Sequence, residues 1–420
     1  MGGDPLFAHG LSLAVWLILL GKVVAVFVIV LVSVLFMVMY ERKAVAWLGV
    51  RYGPNRAGPN GWLQSLADGT KLLFKEAFTP RTADKWVYKL APYLMLVPIM
   101  IAFSIVPMGG EITIAHHTTY VQLADPPWGI LFLLMASGIA VYGVMLAGWA
   151  SGSKYPLLGS VRASAQLISY EAVLGLTTAT VVMVTGNASG FGDALHTHAI
   201  VAAQSGHLAF LHWNFIHTAF VSFILFTIAI TAEMTRPPFD LVEAEEELSG
   251  GYNLEYSSID FAWFYLAEYA ALVTNSAILV TLWFGGPNGP TVFGHSIGPF
   301  WFAVKVLVVL YLYVWVRATL PRLRYDQLMD LGWKRLIPFA LAWLMIVAGF
   351  QVTNNVSGSG FGHWLAQKAW GFVAIGAAIV LAVLFLRAVE VGGGASEVET
   401  AQQDRLAPDG REVARRGGTP

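Results

Sequence analysis

A polar stretch at 233–258 holds the side chains of this chain that are best suited to proton chemistry. It carries seven acids against a single arginine, Arg236. Two consecutive prolines forbid a helix early in the stretch, and Asp240 after them is placed to cap a short helix. On that helix Glu243 and Glu247 would share a face. Carboxylates this close together beside a low-dielectric wall cannot all stay ionised, so some should have raised pKa values and exchange protons near neutral pH.

Further carboxylates lie inside apolar segments. Glu171 lies within the apolar segment 161–185, and Asp260 and Glu268 lie on the segment that follows the polar stretch. A carboxylate inside a membrane span costs roughly 2.5–3.5 kcal/mol, so such a residue is a functional candidate by default. An alternative for Glu171 is a protonated or paired residue that holds two helices together. The polar stretch could also be a plain solvated acidic loop, although its prolines and aromatic residues argue against that.

The composition places these acids in a membrane protein. Of the 420 residues, 56% are hydrophobic and 12% are charged, whereas soluble domains average about 25% charged residues. A membrane-spanning helix needs about 20 mostly apolar residues. This criterion predicts an all-α integral membrane protein with nine spans, at 12–40, 86–107, 128–150, 161–185, 212–232, 259–284, 299–320, 336–352 and 366–388. Because the chain has no cysteine, it cannot hold an iron–sulfur cluster through thiolates.

The distribution of basic residues predicts the orientation. Lys and Arg cluster in three of the loops, 41–85, 151–160 and 321–335. The intervening loops contain neither residue; these are 108–127, 186–211, 285–298 and 353–365. Since cytoplasmic loops carry the excess of positive charge, the N-terminus should lie outside and the C-terminus inside. We expect a single polytopic domain over 1–390 and a disordered tail over 391–420, because the tail has few bulky apolar residues.

The first inside loop combines a turn with an amphipathic segment. Its stretch 53–61 is rich in Gly, Pro and Asn, which forbids a continuous helix. Over 62–78 apolar residues alternate with charged ones, a pattern typical of a helix in the membrane interface. Such a helix could be a plain surface anchor. It could also roof an entry for an amphiphilic substrate that arrives from the lipid.

Other signals are weaker. The histidines all fall near the outside face, where a metal site is conceivable, but their spacing is irregular. The chain shows neither a phosphate-binding glycine loop after a strand nor a nucleophile elbow. A net charge of −1 gives no indication of nucleic-acid binding.

Four blocks, 41–80, 148–175, 232–269 and 317–338, together resemble a known family. The last block begins Arg-Ala-Thr-Leu-Pro-Arg-Leu-Arg-Tyr-Asp-Gln-Leu-Met and continues to Leu-Gly-Trp-Lys. In this order the blocks are similar to the quinone-chamber membrane subunit, the H subunit, of the proton-pumping NADH:quinone oxidoreductase, respiratory complex I. The resemblance covers roughly 15–352.

This resemblance implies a role at the joint between the membrane arm and the peripheral arm of the complex, in a bacterial plasma membrane. Quinone, the substrate, would enter a chamber from the bilayer and be reduced by an iron–sulfur cluster in an adjoining soluble subunit. The chain itself would hold no redox cofactor. Iron–sulfur clusters and FMN would belong to partner subunits, and NADH would act at a distant one. The other membrane partners would be antiporter-like and small subunits.

The resemblance also implies roles for individual residues. The mouth and wall of the chamber would comprise Glu41, Arg42, Arg51, Arg56, Trp62, Asp68, Lys71 and Glu76. The loop that closes the chamber would contribute Arg236, Phe239, Asp240, Glu243, Glu245 and Glu247. A proton pathway toward the antiporter-like subunits would include Glu171, Glu233, Glu255, Asp260 and Glu268.

Two alternatives remain open at the level of sequence. The equivalent subunit of a membrane-bound hydrogenase would share the fold and the carboxylates without reducing quinone, and its soluble partner would carry nickel-ligating cysteines. A stand-alone ion transporter would show internal repeats and broken helices in matching halves, which this sequence lacks.

The acidic stretch yields a direct prediction. Replacing Glu243 or Glu247 by Gln should impair quinone reduction in the assembled enzyme, because the variants lose an acid whose protonation would respond to charge in the chamber. The measurement is NADH:quinone turnover together with proton pumping in membrane vesicles. Unchanged turnover and pumping in both variants would refute the assignment.

Overall fold

The structure, a computed structural model, describes most of the chain. The described residues are 4–7, 12–114, 116–189, 194–205, 212–218, 220–240, 250–290 and 297–356, together with positions 376 and 380. The helices follow in the order α1 (Leu13–Leu48), α2 (Gln64–Phe74), α3 (Lys85–Phe103), α4 (Gly129–Ala150), α5 (Lys154–Ser189), α6 (Thr197–Ala203), α7 (Asn214–His217), α8 (Val221–Glu233), α9 (Ser258–Trp283), α10 (Gly298–Thr319), α11 (Tyr325–Asp330) and α12 (Ile337–Val356). A π-helical turn, Leu331–Leu336, joins α11 to α12.

Seven helical runs in the described part are long and apolar enough to cross a membrane. They are α1, α3, α4, α5, α9, α10 and the run Tyr325–Gln351. These runs coincide with seven of the nine predicted spans, and the predicted all-α membrane class is confirmed. The fifth predicted span, at 212–232, corresponds to α7 followed by α8, a shorter apolar helix. The ninth span, apart from positions 376 and 380, and the tail lie outside the described residues.

The first helix is longer than its apolar stretch. It continues past the predicted end at residue 40 to Leu48, so Glu41 and Arg42 lie on α1 and not in a loop. The residues from 41 to 48 are mostly good helix formers, and they extend the helix until Gly49. This extension decides which way the Glu41 side chain points.

The loop between α3 and α4 contains a small β-hairpin. The strands β1 (Glu111–Ile114) and β2 (His117–Tyr120) pair antiparallel, with Glu111 opposite Tyr120. The span prediction had treated this segment as a plain loop. Four-residue strands give only a short alternation of side chains, which is a weak signal in a sequence dominated by apolar spans.

Helix α5 lies at the centre of the bundle, where it packs against α4, α8 and α12. Helices α4 and α5 approach closely because Gly148 has no side chain. A β-carbon at that position would lie 2.3 Å from the Pro156 carbonyl oxygen. Small residues at helix contacts are how membrane helices gain packing without a hydrophobic driving force between them.

The N-terminal turn is clasped to the bundle by a partly buried ion pair. Lys22, which lies deep in α1, places its ammonium 2.9 Å from Asp4 Oδ2 and donates a hydrogen bond of 2.9 Å to Thr119 Oγ1 on β2. The backbone N–H of Leu6 donates to Asp4 Oδ1 at 3.0 Å. These residues, here called the N-terminal clasp, join the chain start, α1 and the hairpin.

The Asp4 carboxylate of the clasp stays ionised over a wide pH range. Burial raises the pKa of Asp4, but hydrogen bonds from Lys22, Leu6 and Thr119 and the charge of Lys22 outweigh it, so the pKa lies below its ordinary value. A carboxyl whose pKa is lowered by folding contributes stability above its ordinary pKa. That contribution is lost only as the pH falls through the lowered value.

Asp4→Asn removes the negative partner of Lys22 and should release the turn. Because the chain has no cysteine of its own, a buried Leu6→Cys can be labelled from outside with a membrane-impermeant thiol reagent. We expect labelling to be about ten-fold faster with Asp4→Asn, which corresponds to about 1.4 kcal/mol.

Phe7→Cys provides the matched control, because Phe7 is already exposed and should label equally fast with and without Asp4→Asn. Equal labelling of Leu6→Cys in the two backgrounds would contradict the clasp. Labelling that occurs only from the inside would contradict the predicted orientation.

Candidate functional site

A buried arginine lies between two carboxylates from different helices. Arg236 Nη1 lies 3.1 Å from Glu41 Oε1 on α1, and Arg236 Nη2 lies 2.9 Å from Glu268 Oε1 on α9. Its guanidinium lies 4.5 Å from the ring centre of Tyr269. Arg317 on α10 also donates to Glu41 Oε1. These four ionisable side chains, two arginines and two glutamates, are here called the charge cluster.

The chain folds back at the cluster because it cannot continue as a helix. Helix α8 ends at Glu233, and the two prolines at 237 and 238 follow before a further helical turn can form. The turn that results carries Arg236 into the bundle. Burial alone would lower the pKa of Arg236, but the carboxylates of Glu268 and Glu41 and the contact with Tyr269 raise it above its ordinary value. The guanidinium is therefore a permanent cation.

A cavity of about 380 Å³, here called the arginine cavity, opens beside Glu41. Its polar lining comes from α1, the turn that follows α1, α9 and α10, and consists of Glu41, Arg42, Arg51, Tyr52, Tyr265, Tyr269 and Arg317. Guanidinium and phenol groups are hydrogen-bond donors. The cavity is therefore suited to a ligand that presents oxygen acceptors or acquires negative charge.

A second, deeper cavity of about 80 Å³ lies between α3, α4, α5, α8 and α9 and is here called the carboxylate cavity. Glu233 and Glu268 both line it, as do the polar side chains of Ser137, Thr274 and Asn275. By volume it could hold roughly five water molecules. Glu268 thus faces this cavity and also contacts Arg236 of the charge cluster.

Glu171 lies beside the carboxylate cavity. Its Oε1 is 3.5 Å from Ser137 Oγ on α4. A β-carbon at Gly138 would lie 3.0 Å from the same carboxylate oxygen, so the glycine leaves room for the acid between α4 and α5. The predicted functional carboxylate inside a span is therefore next to the cavity that Glu233 and Glu268 share.

The amphipathic segment forms α2, which is fixed to both α1 and α9. The Trp62 ring, just before α2, stacks on Phe36 with centroids 5.6 Å apart. Arg42 donates to Asp68 Oδ2 at 2.7 Å. At the other end Ser258 Oγ, at the start of α9, donates to the Leu72 carbonyl oxygen at 2.9 Å. The helix therefore bridges the C-terminal end of α1 and the N-terminal end of α9.

The Arg42–Asp68 contact lies outside the apolar spans and is partly exposed. Burial raises the pKa of Asp68, but hydrogen bonds from Arg42 and Gln64 outweigh it and lower the pKa below its ordinary value. Asp68 therefore stays ionised at neutral pH and keeps Arg42 oriented beside the arginine cavity.

The structure brings together part of the predicted site. Glu41, Arg42 and Arg51 line the arginine cavity, and Asp68 binds one of them. Phe239 and Asp240 are buried on the same turn as Arg236, where the Phe239 ring lies 5.8 Å from Tyr170 and Asp240 lies 3.7 Å from Arg322.

Other predicted site residues lie apart from the two cavities. Arg56, Lys71 and Glu76 are exposed, and Glu255 and Asp260 are half-buried. None of these five lines either cavity. Glu243, Glu245 and Glu247 lie outside the described residues, so their roles stay predictions. Within the described ranges no group of three or more His, Asp or Glu side chains is arranged to hold a metal ion.

The sequence is similar to known proteins over most of its length. The family model described as NADH dehydrogenase matches residues 21–348. The chain belongs to the NADH dehydrogenase family. Two proteins named as the H subunit of NADH-quinone oxidoreductase are each 46% identical to this chain. The one from Frankia casuarinae matches over 401 residues and the one from Frankia alni over 402 residues. Each match covers 93% of this chain and 84% of the relative. The resemblance to the H subunit is confirmed.

The candidate site of this member of the NADH dehydrogenase family includes residues that its sequence did not single out. Arg317 lies in the last turn of α10, and basic residues at the ends of spans commonly snorkel to the interface, so its contact with Glu41 had no distinguishing signal. Tyr265 and Tyr269 line the arginine cavity, and their hydroxyls lie 3.3 Å apart. The available signal in the sequence was that the two tyrosines lie one helical turn apart and close to Glu268, so they share a helix face.

Arg236→Met should destabilise this family member within its assembled complex. The variant leaves Glu41 and Glu268 buried with their shared cation gone, and removing one partner of a buried ion pair typically costs about 3–5 kcal/mol. The expected result is a clear fall in the temperature at which the detergent-purified complex loses this subunit.

Arg42→Met is the matched control, because its pair with Asp68 is partly exposed and such pairs contribute only about 0–1 kcal/mol. Arg236→Lys should recover part of the lost stability, because lysine keeps the positive charge but lacks the planar guanidinium that contacts both carboxylates. Equal dissociation temperatures for Arg236→Met and Arg42→Met would argue against the shared-cation interpretation.

Proposed function

We propose that this chain forms the quinone entry and binding chamber of a proton-pumping NADH:quinone oxidoreductase and couples quinone reduction to proton translocation. A single observation supports this most directly: the contact between Arg236 and Glu268 connects the two cavities. Arg236 contacts Glu41, which lines the arginine cavity, and it also contacts Glu268, which lines the carboxylate cavity.

In the proposal quinone arrives from the bilayer under α2. This helix bridges α1 and α9 at their inside ends, beside the arginine cavity. Its exposed surface combines the apolar side chains of Leu66, Leu73 and Phe74 with the charged Lys71, as suits a helix in the membrane interface. Arg42, Arg51 and the tyrosines offer donors to the quinone carbonyl oxygens along the route.

The proposed coupling is electrostatic. Two-electron reduction of a quinone creates negative charge, which two protons must neutralise. Negative charge beside Arg317 and Arg236 competes with Glu41 and Glu268 for those cations, because interactions are strong where water is scarce. A weaker interaction between Arg236 and Glu268 would let protons redistribute among Glu268, Glu233 and Glu171 around the carboxylate cavity.

The proposal assigns the redox centres to partners. The electrons would come from an iron–sulfur cluster of an adjoining soluble subunit, and FMN and the NADH site would lie in more distant soluble subunits. Antiporter-like and small membrane subunits would receive the protonation change. Residues Glu255, Asp260, Glu243, Glu245 and Glu247 belong to the proposed chamber loop and pathway through the family resemblance alone. The location would be the plasma membrane of a bacterial cell.

The test is Glu268→Gln in the assembled complex. The amide keeps the volume of the carboxylate but loses its charge and its ability to exchange a proton, so Arg236 is left with one anion. We expect NADH:quinone turnover and proton pumping to fall about ten-fold or more, which corresponds to a rise of about 1.4 kcal/mol or more in the activation free energy. Electron transfer from NADH to a water-soluble acceptor upstream of quinone should be unchanged.

Glu111→Gln is the control, because Glu111 is an exposed carboxylate on the outer hairpin and should leave every activity intact. Normal quinone turnover and pumping in Glu268→Gln would overturn the proposed coupling. A loss of the upstream activity as well would report failed assembly, and Glu268→Asp would then be used, with reduced turnover in intact complex as the expected result.

A further inference from the structure

One buried amide spans the turn that carries Arg236. Gln166 on α5 donates through Nε2 to the Ala232 carbonyl oxygen at 2.8 Å and to the Phe239 carbonyl oxygen at 3.0 Å. The first acceptor lies in the last turn of α8, and the second lies seven residues further along the chain. Gln166 is 1% exposed, so both hydrogen bonds form away from bulk water.

The turn 232–239 has few bonds of its own. Within it the Thr235 N–H donates to the Ala232 carbonyl oxygen at 3.2 Å, and the Phe239 N–H donates to the Arg236 carbonyl oxygen at 2.9 Å. The Arg236 N–H reaches back to the Thr231 carbonyl oxygen at 3.4 Å. Besides the contacts of the Arg236 side chain, the Leu323 N–H donates to the Pro238 carbonyl oxygen at 3.0 Å, and the Tyr170 ring packs on Phe239. The Gln166 side chain alone among these contacts touches both ends of the turn.

We infer that Gln166 is a positioning residue that holds both ends of the turn 232–239 together and so sets where the Arg236 guanidinium lies between Glu41 and Glu268. The inference about the turn rests on geometry. Its consequence for turnover rests on the proposed function.

The chemistry of the amide explains why a glutamine occupies this position. A primary amide nitrogen carries two hydrogens and can serve two acceptors at once. Methionine fills a similar volume but donates nothing, so it would leave a carbonyl oxygen at each end of the turn without this donor, which is costly in a buried site. Asparagine keeps the donors on a side chain one methylene shorter, so it should reach one carbonyl oxygen and not both.

Gln122 provides a matched control in the same chain. It is a buried glutamine whose Nε2 donates to two carbonyl oxygens, those of Ile105 at 2.9 Å and Ala124 at 2.8 Å. It lies at the outer end of the bundle, beside Thr197, and contacts no part of the turn. Gln122→Met therefore removes the same kind of bond from a place unrelated to Arg236.

The first experiment measures the turn directly. Hydrogen exchange of the peptide 232–240 is followed by mass spectrometry in the assembled, purified complex. Amides in a loosened segment exchange through local opening, so we expect about ten-fold faster exchange in Gln166→Met and an intermediate effect in Gln166→Asn. Gln122→Met should leave this peptide unchanged. Unchanged exchange in Gln166→Met, or equal acceleration by Gln122→Met, would overturn the inference.

The second experiment asks whether Gln166 acts through Arg236. NADH:quinone turnover per assembled complex is measured for Gln166→Met, Arg236→Gln and the double variant, with upstream NADH oxidation used to count intact complex. We expect kcat to fall about ten-fold in Gln166→Met, and the double variant to be little worse than Arg236→Gln, because coupled residues are not additive. Additive losses would overturn the link to Arg236.

The two experiments separate the two proposals. Faster exchange in Gln166→Met together with normal turnover in Arg236→Gln would uphold the positioning of the turn and overturn the proposed role of the charge cluster. Slow, wild-type exchange with a loss of turnover in Arg236→Gln would uphold the charge cluster and overturn the role of Gln166.

Discussion

A cation buried in a membrane protein must have its counter-charges within contact distance, because the surrounding medium screens so little. Arg236 meets this constraint with Glu41 and Glu268, which come from helices far apart in the sequence. The pairing fixes the C-terminal part of α1 and the middle of α9 relative to the turn after α8. Arg317 adds a fourth element, α10, through the same Glu41 oxygen. The site is therefore a junction of four segments whose positions depend on charge balance.

This junction separates two cavities of different chemistry. On one side three arginines and several tyrosines offer donors, and on the other two carboxylates and the polar side chains of Ser137, Thr274 and Asn275 line a small cavity whose other walls are mostly apolar. In the proposed coupling, a charge change on the first side reaches the second by altering how Arg236 divides its contacts between Glu41 and Glu268. Such a chain of discrete contacts is a physical route for coupling, because each member responds to the protonation of the next.

The scaffold around the junction consists of neutral hydrogen bonds and close helix packing. Gln166 connects the two ends of the turn, Ser258 connects α9 to α2, and Gly138 leaves space for the Glu171 carboxylate. These groups carry no charge, yet they determine where the charged groups lie. A charge cluster needs such support, because a shift of one ångström changes both the distance and the number of hydrogen bonds to an ion.

The sequence by itself determined the membrane class, seven of the spans and the presence of carboxylates within or beside them, because long apolar runs and the acids inside them are local features. It also determined that the chain turns at the prolines after α8. Only the tertiary structure decided that Arg236 joins Glu41 to Glu268, that Arg317 completes the cluster, and that Glu255 and Asp260 line neither cavity. The reason is that an ion pair depends on how the helices are rotated and on their relative heights. Packing between segments distant in the sequence determines both, and no local sequence pattern reveals them.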